Sequence, residues 1–467
     1  MRSTKIICTI GPSSDDRKTL EAMIMGGMDI ARLNRSHGTI EGCREKINSI
    51  RNICKSNNKC VALMIDTKGA EIRTGVIAHP VNVKEGEEII FSSFEMHDDK
   101  RSVIEVNYDR FYADVPETDR IIIDNGELIL DIVKINKDGS VIARAQSNGS
   151  IGSRRHITLP GADIDLPSVT DQDWEDIAFA VEEEVDFLAL SFVRTADDVN
   201  KVRGFIKEKG GSIQIIPKIE TRQAVENISE IIEVSDGIMI ARGDLGTDLP
   251  FEELPPLQDE IVIQCRDRGV PVIVATHMLE SMIEHPMPTR AEVTDVAHAV
   301  MTGADATMLS GETAAGNFPL KAIEAMSRIQ NYTENHLSRF PRNYEMPVHN
   351  EREARAEAAV TLSESAEASL IFVFTRTGKT AKEVSKFHPK KPIIAFTDSS
   401  SIQRTLKLCY GIHPYVIPFT DPESTVTEAF KTAIKYELVK EGDDVVLLSD
   451  IEAKDATVSS VQVRRFG

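Results

Sequence analysis

The chain has 467 residues, enough for two to four domains, with 41% hydrophobic and 27% charged residues, an ordinary globular balance. The formal net charge is −20 with no basic domain or Lys/Arg stripe, which excludes nucleic acid as the main partner and requires any anionic substrate to be drawn in by a local basic site and a metal ion. No apolar run reaches membrane-spanning length. The six cysteines (Cys8, Cys43, Cys54, Cys60, Cys265, Cys409) are irregularly spaced without a CxxC, so reduced structural thiols are expected rather than zinc or disulfides.

Residues 4–10, TKIICTI, read as a strand ending in GPSS, and 15–25 as a helix. The strand MDIARLN ends in Arg32, Asn34 and Ser36. A helix over about 40–55 leads to CVALMID, ending at Asp66 and Thr67. From about Gly75 to Thr158 the pattern changes to short alternating segments with turns at Asn125-Gly126 and Asp138-Gly139. This is the pattern of a small antiparallel β domain, expected to be a barrel. Strand–helix alternation resumes near Asp171 with FLALSF, IQIIP, GIMIA, PVIVAT and ATMLS. Three strands before the insertion and five after it make eight, the count of a (β/α)8 TIM barrel, with an open doubly wound sheet as the rival. A polar, proline-containing stretch at 340–351 reads as a linker to a separate C-terminal α/β domain. The expected layout is barrel 1–69, inserted β lid 70–160, barrel 161–340 and C-terminal domain 341–467. The N-terminal segment, already strand-like, predicts a cytoplasmic protein, with a processed organellar form as the other option.

In such a barrel the strand ends converge on one face, where sites are built. Glu220 and Asp244 follow neighbouring strands and suit magnesium or manganese, with substrate oxygens completing the shell; an exposed acidic rim is the plain alternative. Arg32, Arg73 and Lys218 suit phosphate, although Arg73 could simply pair with Glu71. Asn34, Ser36, Asp66 and Thr67 combine one carboxylate with neutral oxygens, the chemistry of a monovalent cation site or of a hydrogen-bonded turn. Spacing alone favours the turn. Thr276, Ser310 and Glu312 form a candidate proton relay, or Ser310-Gly-Glu312 a helix cap. In TRTGKT, Thr375, Thr377, Gly378, Lys379 and Thr380 lie between a strand and a helix and could hold a phosphate. Capping by Thr377 or Thr380 is the alternative.

The blocks KIICTIGPSS, ARLNRSHG, DTKGAEIRTG, LPGADIDLPS, LSFVR, IIPKIE, IMIARGDLG, ATHMLESM, PTRAEVTDVAHAV and MLSGETAAG together resemble the pyruvate kinase family, in family order from residue 4 to about 440. The resemblance implies phosphoryl transfer from phosphoenolpyruvate to ADP, giving ATP and pyruvate. It implies that Lys218 stabilises the transferring group, Glu220 and Asp244 hold magnesium, and Arg32 and Arg73 bind phosphate. Gly243, Asp244 and Thr276 would hold the substrate carboxylate, with Thr276 and Ser310 relaying the proton. Asn34, Ser36, Asp66 and Thr67 would bind potassium, reversing the preference from spacing, and Glu71 stands where potassium-dependent members carry glutamate. Asn34, His37, Arg73 and Arg155 would face the nucleotide. The family also implies a homotetramer and a moving lid. Departures from the family pattern are Arg35 for an aromatic residue, Ala70 for proline, His277 for glutamine, Arg155 for lysine and Thr158 for asparagine. Arg35 is expected to add positive charge near the nucleotide, and Ala70 to loosen the lid hinge. The C-terminal SDIEAKDATVSSVQVRRF lacks the family's Gly-rich loop and carries Asp450, Glu452 and Asp455. A sugar monophosphate effector, or none, is therefore expected in place of a bisphosphate. Competing readings are a magnesium-dependent lyase of enolates and a catalytically silent phosphate sensor. Lys218 and the nucleotide-side residues argue against the first, and joint retention of Lys218, Glu220, Asp244 and Thr276 against the second.

Overall fold

The computed structural model describes residues 1–36, 38–98, 100–162, 164–337, 346–453 and 456–466. Eight parallel strands close a barrel: Lys5–Thr9, Ile30–Asn34, Ala62–Asp66, Phe187–Leu190, Gln214–Ile219, Ile238–Ala241, Val272–Ala275 and Ala306–Leu309. Closure joins the first strand to the last, Lys5 opposite Ala306 and Cys8 opposite Leu309. Because side chains alternate along a strand, Ile7, Phe187, Met239 and Met308 fill the interior while Ile6, Leu188, Ile240 and Leu309 pack under the helices.

One device recurs at the N-terminal ends of the strands. Asp29, Asp186, Asp236 and Asp305 stand one or two residues before the second, fourth, sixth and eighth barrel strands. Each donates its backbone N–H to a carbonyl on the preceding barrel strand, at Ile6, Leu63, Ile215 and Val272 respectively. Each carboxylate in turn accepts the N–H of that same residue, at 2.9–3.0 Å. Every odd strand is thus stitched to the even strand after it, and edge amides that would otherwise go unpaired are satisfied.

The lid is a curled seven-stranded sheet running from Ile72–Arg73 at one edge to Val103–Glu105 at the other, with a separate two-stranded ribbon. A single bridge between Thr74 and Val106 joins the two edges, so the expected barrel is a curled sheet closed by one bridge. It wraps its own core of Phe91, Ile104, Phe111, Leu130 and Ile151. At the outgoing hinge the amides of Lys68 and Gly69 donate to Asp173 Oδ1 at 3.1 and 3.0 Å. At the return, Arg194 donates to the carbonyls of Ile164 and Leu166, Gly161 N to Asp248 Oδ1, and Thr158 Oγ1 lies 3.2 Å from Thr247 Oγ1.

The C-terminal sheet has four parallel strands and an antiparallel edge strand, Ala456–Arg465. The domain caps the barrel end opposite the strands' carboxyl ends. Leu408 joins the barrel interior, Tyr410 N donates to Asp305 Oδ1, Arg404 Nε to Asp186 Oδ1, and the buried Lys5 Nζ to the Ile412 carbonyl. Of the expected linker, residues 340–345 lie outside the described residues, and the following helix, Glu351–Ser365, is capped by Asn350.

Two substitutions test this frame. Asp305→Ala strands the buried amides of Val272 and Tyr410, each at about 1–3 kcal/mol. The denaturation midpoint is expected to fall further than in Asp305→Asn, which keeps one acceptor. Gly69 has φ +74° and a Cβ there would lie 2.6 Å from the Phe192 ring. Gly69→Ala is therefore expected to lose about 1–2 kcal/mol from the left-handed backbone alone, with a further loss from the clash, read by thermal unfolding.

Candidate active site

The carboxyl ends of the barrel strands and the underside of the lid enclose a cavity of about 740 Å³. Its lining brings together Arg32, Asn34, Ser36, Asp66, Thr67, Arg73, Arg155, Lys218, Glu220 and Asp244, residues scattered over more than two hundred positions of sequence. Lys218 and Glu220 come from the strand Gln214–Ile219 and the residue after it. Asp244 lies in the short helix Arg242–Asp248 that begins where the next strand stops.

Lys218 is the electrostatic centre. Its Nζ lies 2.8 Å from Glu220 Oε1, 3.3 Å from Asp66 Oδ1 and 2.9 Å from Ser191 Oγ. Burial works against the charged amine, but Asp66, Glu220 and Asp244 outweigh it and hold Lys218 protonated, its pKa above the ordinary lysine value. Arg32 donates to Asp66 Oδ2 at 2.6 Å and to Thr9 Oγ1 at 2.8 Å. Burial pushes the Asp66 carboxyl up, yet Arg32 and Lys218 together keep it below the usual carboxylate range.

Glu220 is treated differently. Burial and then the neighbouring Asp244 push its carboxyl up, against the pull of Lys218. Its Oε2 accepts the Phe192 amide at 2.7 Å, and its Oε1 faces the Lys218 ammonium at 2.8 Å. Glu220 and Asp244 are neighbouring carboxylates, the second opposing the ionisation of the first, and such a pair fits a divalent cation. Among the described residues no group of three or more His, Cys, Asp or Glu side chains forms a metal cluster, so substrate or water oxygens would have to complete such a shell.

At the second and third strands, Ser36 N donates to Asn34 Oδ1, and Thr67 Oγ1 accepts the Ser191 amide. The hydrogen-bonded turn expected from spacing is present, and its oxygens line the cavity together with Asp66. Arg73 does pair with Glu71, at 2.6 Å, and also donates to the Arg154 carbonyl; both residues line the cavity. Arg155 lies 3.1 Å from Asp124 on the lid. His37 lies outside the described residues.

Thr276 and His277 both adopt left-handed backbone, φ +67° and +53°, rare for such residues. Arg242, delivered beside Asp244, turns away from the cavity to hold this bend. It donates to the Ala275 and Thr276 carbonyls and to Asp295. The bend places Thr276 Oγ1 2.7 Å from the Gly243 amide, which it accepts. Ser310 Oγ has no hydrogen-bond partner, and Glu312 is buried, binding the amides of Ser310 and Leu279. Gly243, Thr276 and Ser310 stand at strand ends around the rim and are not among the residues lining the cavity.

The structure corrects one expectation about this site. Arg35 does not add charge to the nucleotide side. It is buried against the helix Asp171–Glu182, where its Nε donates to Asp176 Oδ1 at 2.8 Å. Sequence reading also missed three contributors. Phe192 uses φ +50° to aim its amide at Glu220, Thr9 supports Arg32, and the half-buried His156, its imidazole pKa pushed down by burial, lines the cavity beside Phe192. Only Phe192 had a signal, its place directly after Ser191 at a strand end.

In the C-terminal domain, Thr375, Thr377 and Thr380 line a second cavity of about 610 Å³ with Arg352, Ser449 and Arg464, whereas Gly378 and Lys379 do not line it. The helix Lys379–Lys386 is capped at Gly378, whose amide donates to Thr375 Oγ1, so neither Thr377 nor Thr380 provides the cap.

Comparison with known proteins agrees with this architecture. Residues 1–323 match the family model of the pyruvate kinase barrel domain, and residues 353–463 that of the pyruvate kinase alpha/beta domain. The chain is 40% identical to plastidial pyruvate kinase 2 of Arabidopsis thaliana, over 99% of this chain and 81% of the relative. It is 39% identical to the pyruvate kinase of Thermotoga maritima, over 99% of both. A crystal structure of a pyruvate kinase from Cryptosporidium parvum is similar with a TM-score of 0.91 at 35% identity, covering 100% of this chain and 96% of that one. The agreement runs through both domains and essentially all of this chain, which therefore belongs to the pyruvate kinase family of phosphotransferases.

Proposed function

We propose that the chain transfers the phosphoryl group of phosphoenolpyruvate to ADP, giving pyruvate and ATP, with magnesium (or manganese) and potassium as cofactors. The observation that carries this reading is the protonated Lys218, fixed between Asp66 and Glu220 within a cavity that also holds Arg32, Arg73 and Asp244. Phosphoryl transfer asks little covalent chemistry of a protein and much fixed positive charge, because charge spreads over the oxygens of the group in flight. Lys218 supplies that charge at the transfer point, and Arg32 and Arg73 bind phosphate oxygens. Glu220 and Asp244 would hold the divalent ion, which when bound neutralises phosphate charge. Asn34, Ser36, Asp66 and Thr67 would hold potassium. Thr276, with the backbone at Gly243 and Asp244, orients the substrate carboxylate. The enolate of pyruvate then takes a proton through Thr276 and Ser310, whose hydroxyl is free to turn. Asn34, His37, Arg73 and Arg155 receive the nucleotide, and the lid excludes water.

The reading extends to a cytoplasmic homotetramer, with an organellar form as the alternative compartment; among the described residues no helix is long and apolar enough to cross a membrane. It also extends to the threonine-lined C-terminal cavity as the seat of a sugar monophosphate effector. Thr375, Thr377, Gly378, Lys379 and Thr380 would form its phosphate-binding stretch, Thr375, Thr377 and Thr380 sharing the cavity lining with Arg352 and Arg464.

Pyruvate formation should require magnesium and rise with potassium, and Lys218→Met should lower kcat by a hundredfold or more, on the order of the loss seen when one preorganised electrostatic donor is removed. A wild-type chain inert under every ion condition would overturn the assignment. An effector titration should show little activation by fructose 1,6-bisphosphate and more by a sugar monophosphate; strong bisphosphate activation would refute the effector reading.

A further inference from the structure

Arg35 sits inside the turn that presents Asn34 and Ser36 to the cavity, yet its side chain points out of it. The turn is fastened to the sheet by Arg35 N, which donates to the Asp66 carbonyl at 2.9 Å. Arg35 Nη1 reaches forward to the Thr39 carbonyl at 3.1 Å. Its Nε meets Asp176 Oδ1, and the two side chains are only 5% and 0% exposed. Gln172 Nε2 also reaches Asp176 Oδ1, at 3.4 Å, and Oδ2 has no hydrogen-bond partner, so Arg35 is the charged group that Asp176 meets. Burial pushes the Asp176 carboxyl up, and a buried carboxylate stripped of its cation is costly.

Asp176 is not an isolated partner. Three residues earlier on the same helix, Asp173 accepts the Lys68 and Gly69 amides at the outgoing lid hinge. Both carboxylates are fully buried. A single helix, Asp171–Glu182, starting just after the lid returns, therefore grips the Asn34–Ser36 turn with one carboxylate and the lid hinge with another. An ion pair kept only for stability would have no reason to lie on the segment that joins these two parts, and an apolar pair would fill the space as well.

We infer that Arg35 and Asp176 form a positioning pair, which touches no substrate but fixes the Asn34–Ser36 turn, and so sets affinity for the monovalent cation and for ADP. This rests on the reading above that Asn34 and Ser36 face those ligands. Supporting groups behind an ion's ligands act in this way, and their loss weakens ion binding more than it slows a fully loaded site.

The test uses the full-length protein with Arg35→Met, Asp176→Asn, Arg35→Lys and the Arg35→Met/Asp176→Asn pair. For each, kcat, the KM for ADP, the potassium concentration giving half-maximal activity, and the thermal midpoint are measured. Arg35→Met and Asp176→Asn are expected to raise both the ADP KM and the half-activating potassium concentration about tenfold, the scale of losses behind metal ligands. Saturated kcat is expected to stay near wild type, Arg35→Lys to fall between, and the double variant to show less than the product of the single effects, because both remove one contact. Folded variants with wild-type constants for ADP and potassium, or with losses confined to the thermal midpoint or to kcat, would overturn the inference. If Arg35→Met does not fold, the isosteric Asp176→Asn decides by the same criteria. A wild-type enzyme that is active but indifferent to potassium would refute the cation site alone, and the ADP KM would then judge the pair.

Discussion

The site is organised around a buried positive charge that cannot be neutralised cheaply. The Lys218 side chain is only 11% exposed, so water screens it weakly from Asp66 and Glu220. A lone ammonium at such depth would lose its proton; flanked by carboxylates, it keeps it. The same attraction orders the neighbours. Asp66 is held ionised and so fixes Arg32, which Thr9 orients from the first strand. Glu220, farther from any arginine and beside Asp244, is left with the carboxyl that ionises least readily. One lysine thus divides two carboxylates into different electrostatic states, one satisfied by protein and one suited to a divalent cation.

What surrounds this centre is rigid on one side and jointed on the other. The barrel supplies short strands whose ends cannot shift without breaking the ladder. The lid enters through a segment held by Asp173 and leaves through one held by Arg194, Asp248 and Thr247. Charge is placed by the barrel, and the lid roofs the cavity in which it stands. The two meet at Phe192, whose ring lies beneath the Gly69 hinge while its amide binds Glu220.

Much of this was legible in the sequence because the barrel strands are continuous apolar runs that stop abruptly in charge. IQIIPKIE and GIMIARGD announce both the strand and the face on which its last residues emerge. The eightfold count, the insertion after the third strand and the convergence of Arg32, Asp66, Lys218, Glu220 and Asp244 followed from that. Contacts between distant segments were not legible. Arg35 read as a charge near the nucleotide because nothing local absorbs it, and its partner Asp176 stands 141 residues away. Arg242 and Glu220 follow strands in the same way, yet one buttresses a carbonyl bend and the other lines the cavity, a difference set by side-chain direction at a helix start. Capping by Thr377 or Thr380, the alternative to a phosphate loop, was equally beyond the sequence: the cap falls on Gly378, and the Thr375 hydroxyl accepts that residue's own amide.

The aspartates stitching the barrel also determine what an insertion costs. Three of the four stitches join residues 21 to 33 positions apart, within one strand–helix–strand segment. The fourth, between Leu63 and Asp186, spans 123 positions because the whole lid lies inside it. Loop-closure entropy grows only with the logarithm of length, so lengthening that loop about fourfold adds only about 1 kcal/mol. The lid also folds around a core of its own and asks nothing of the barrel except two chain ends held close together. The third and fourth strands are therefore the one stitched pair with a domain inserted between its members, and the lid hangs from the barrel as a closed excursion. The stitched ring beneath it is continuous whatever the length of that excursion.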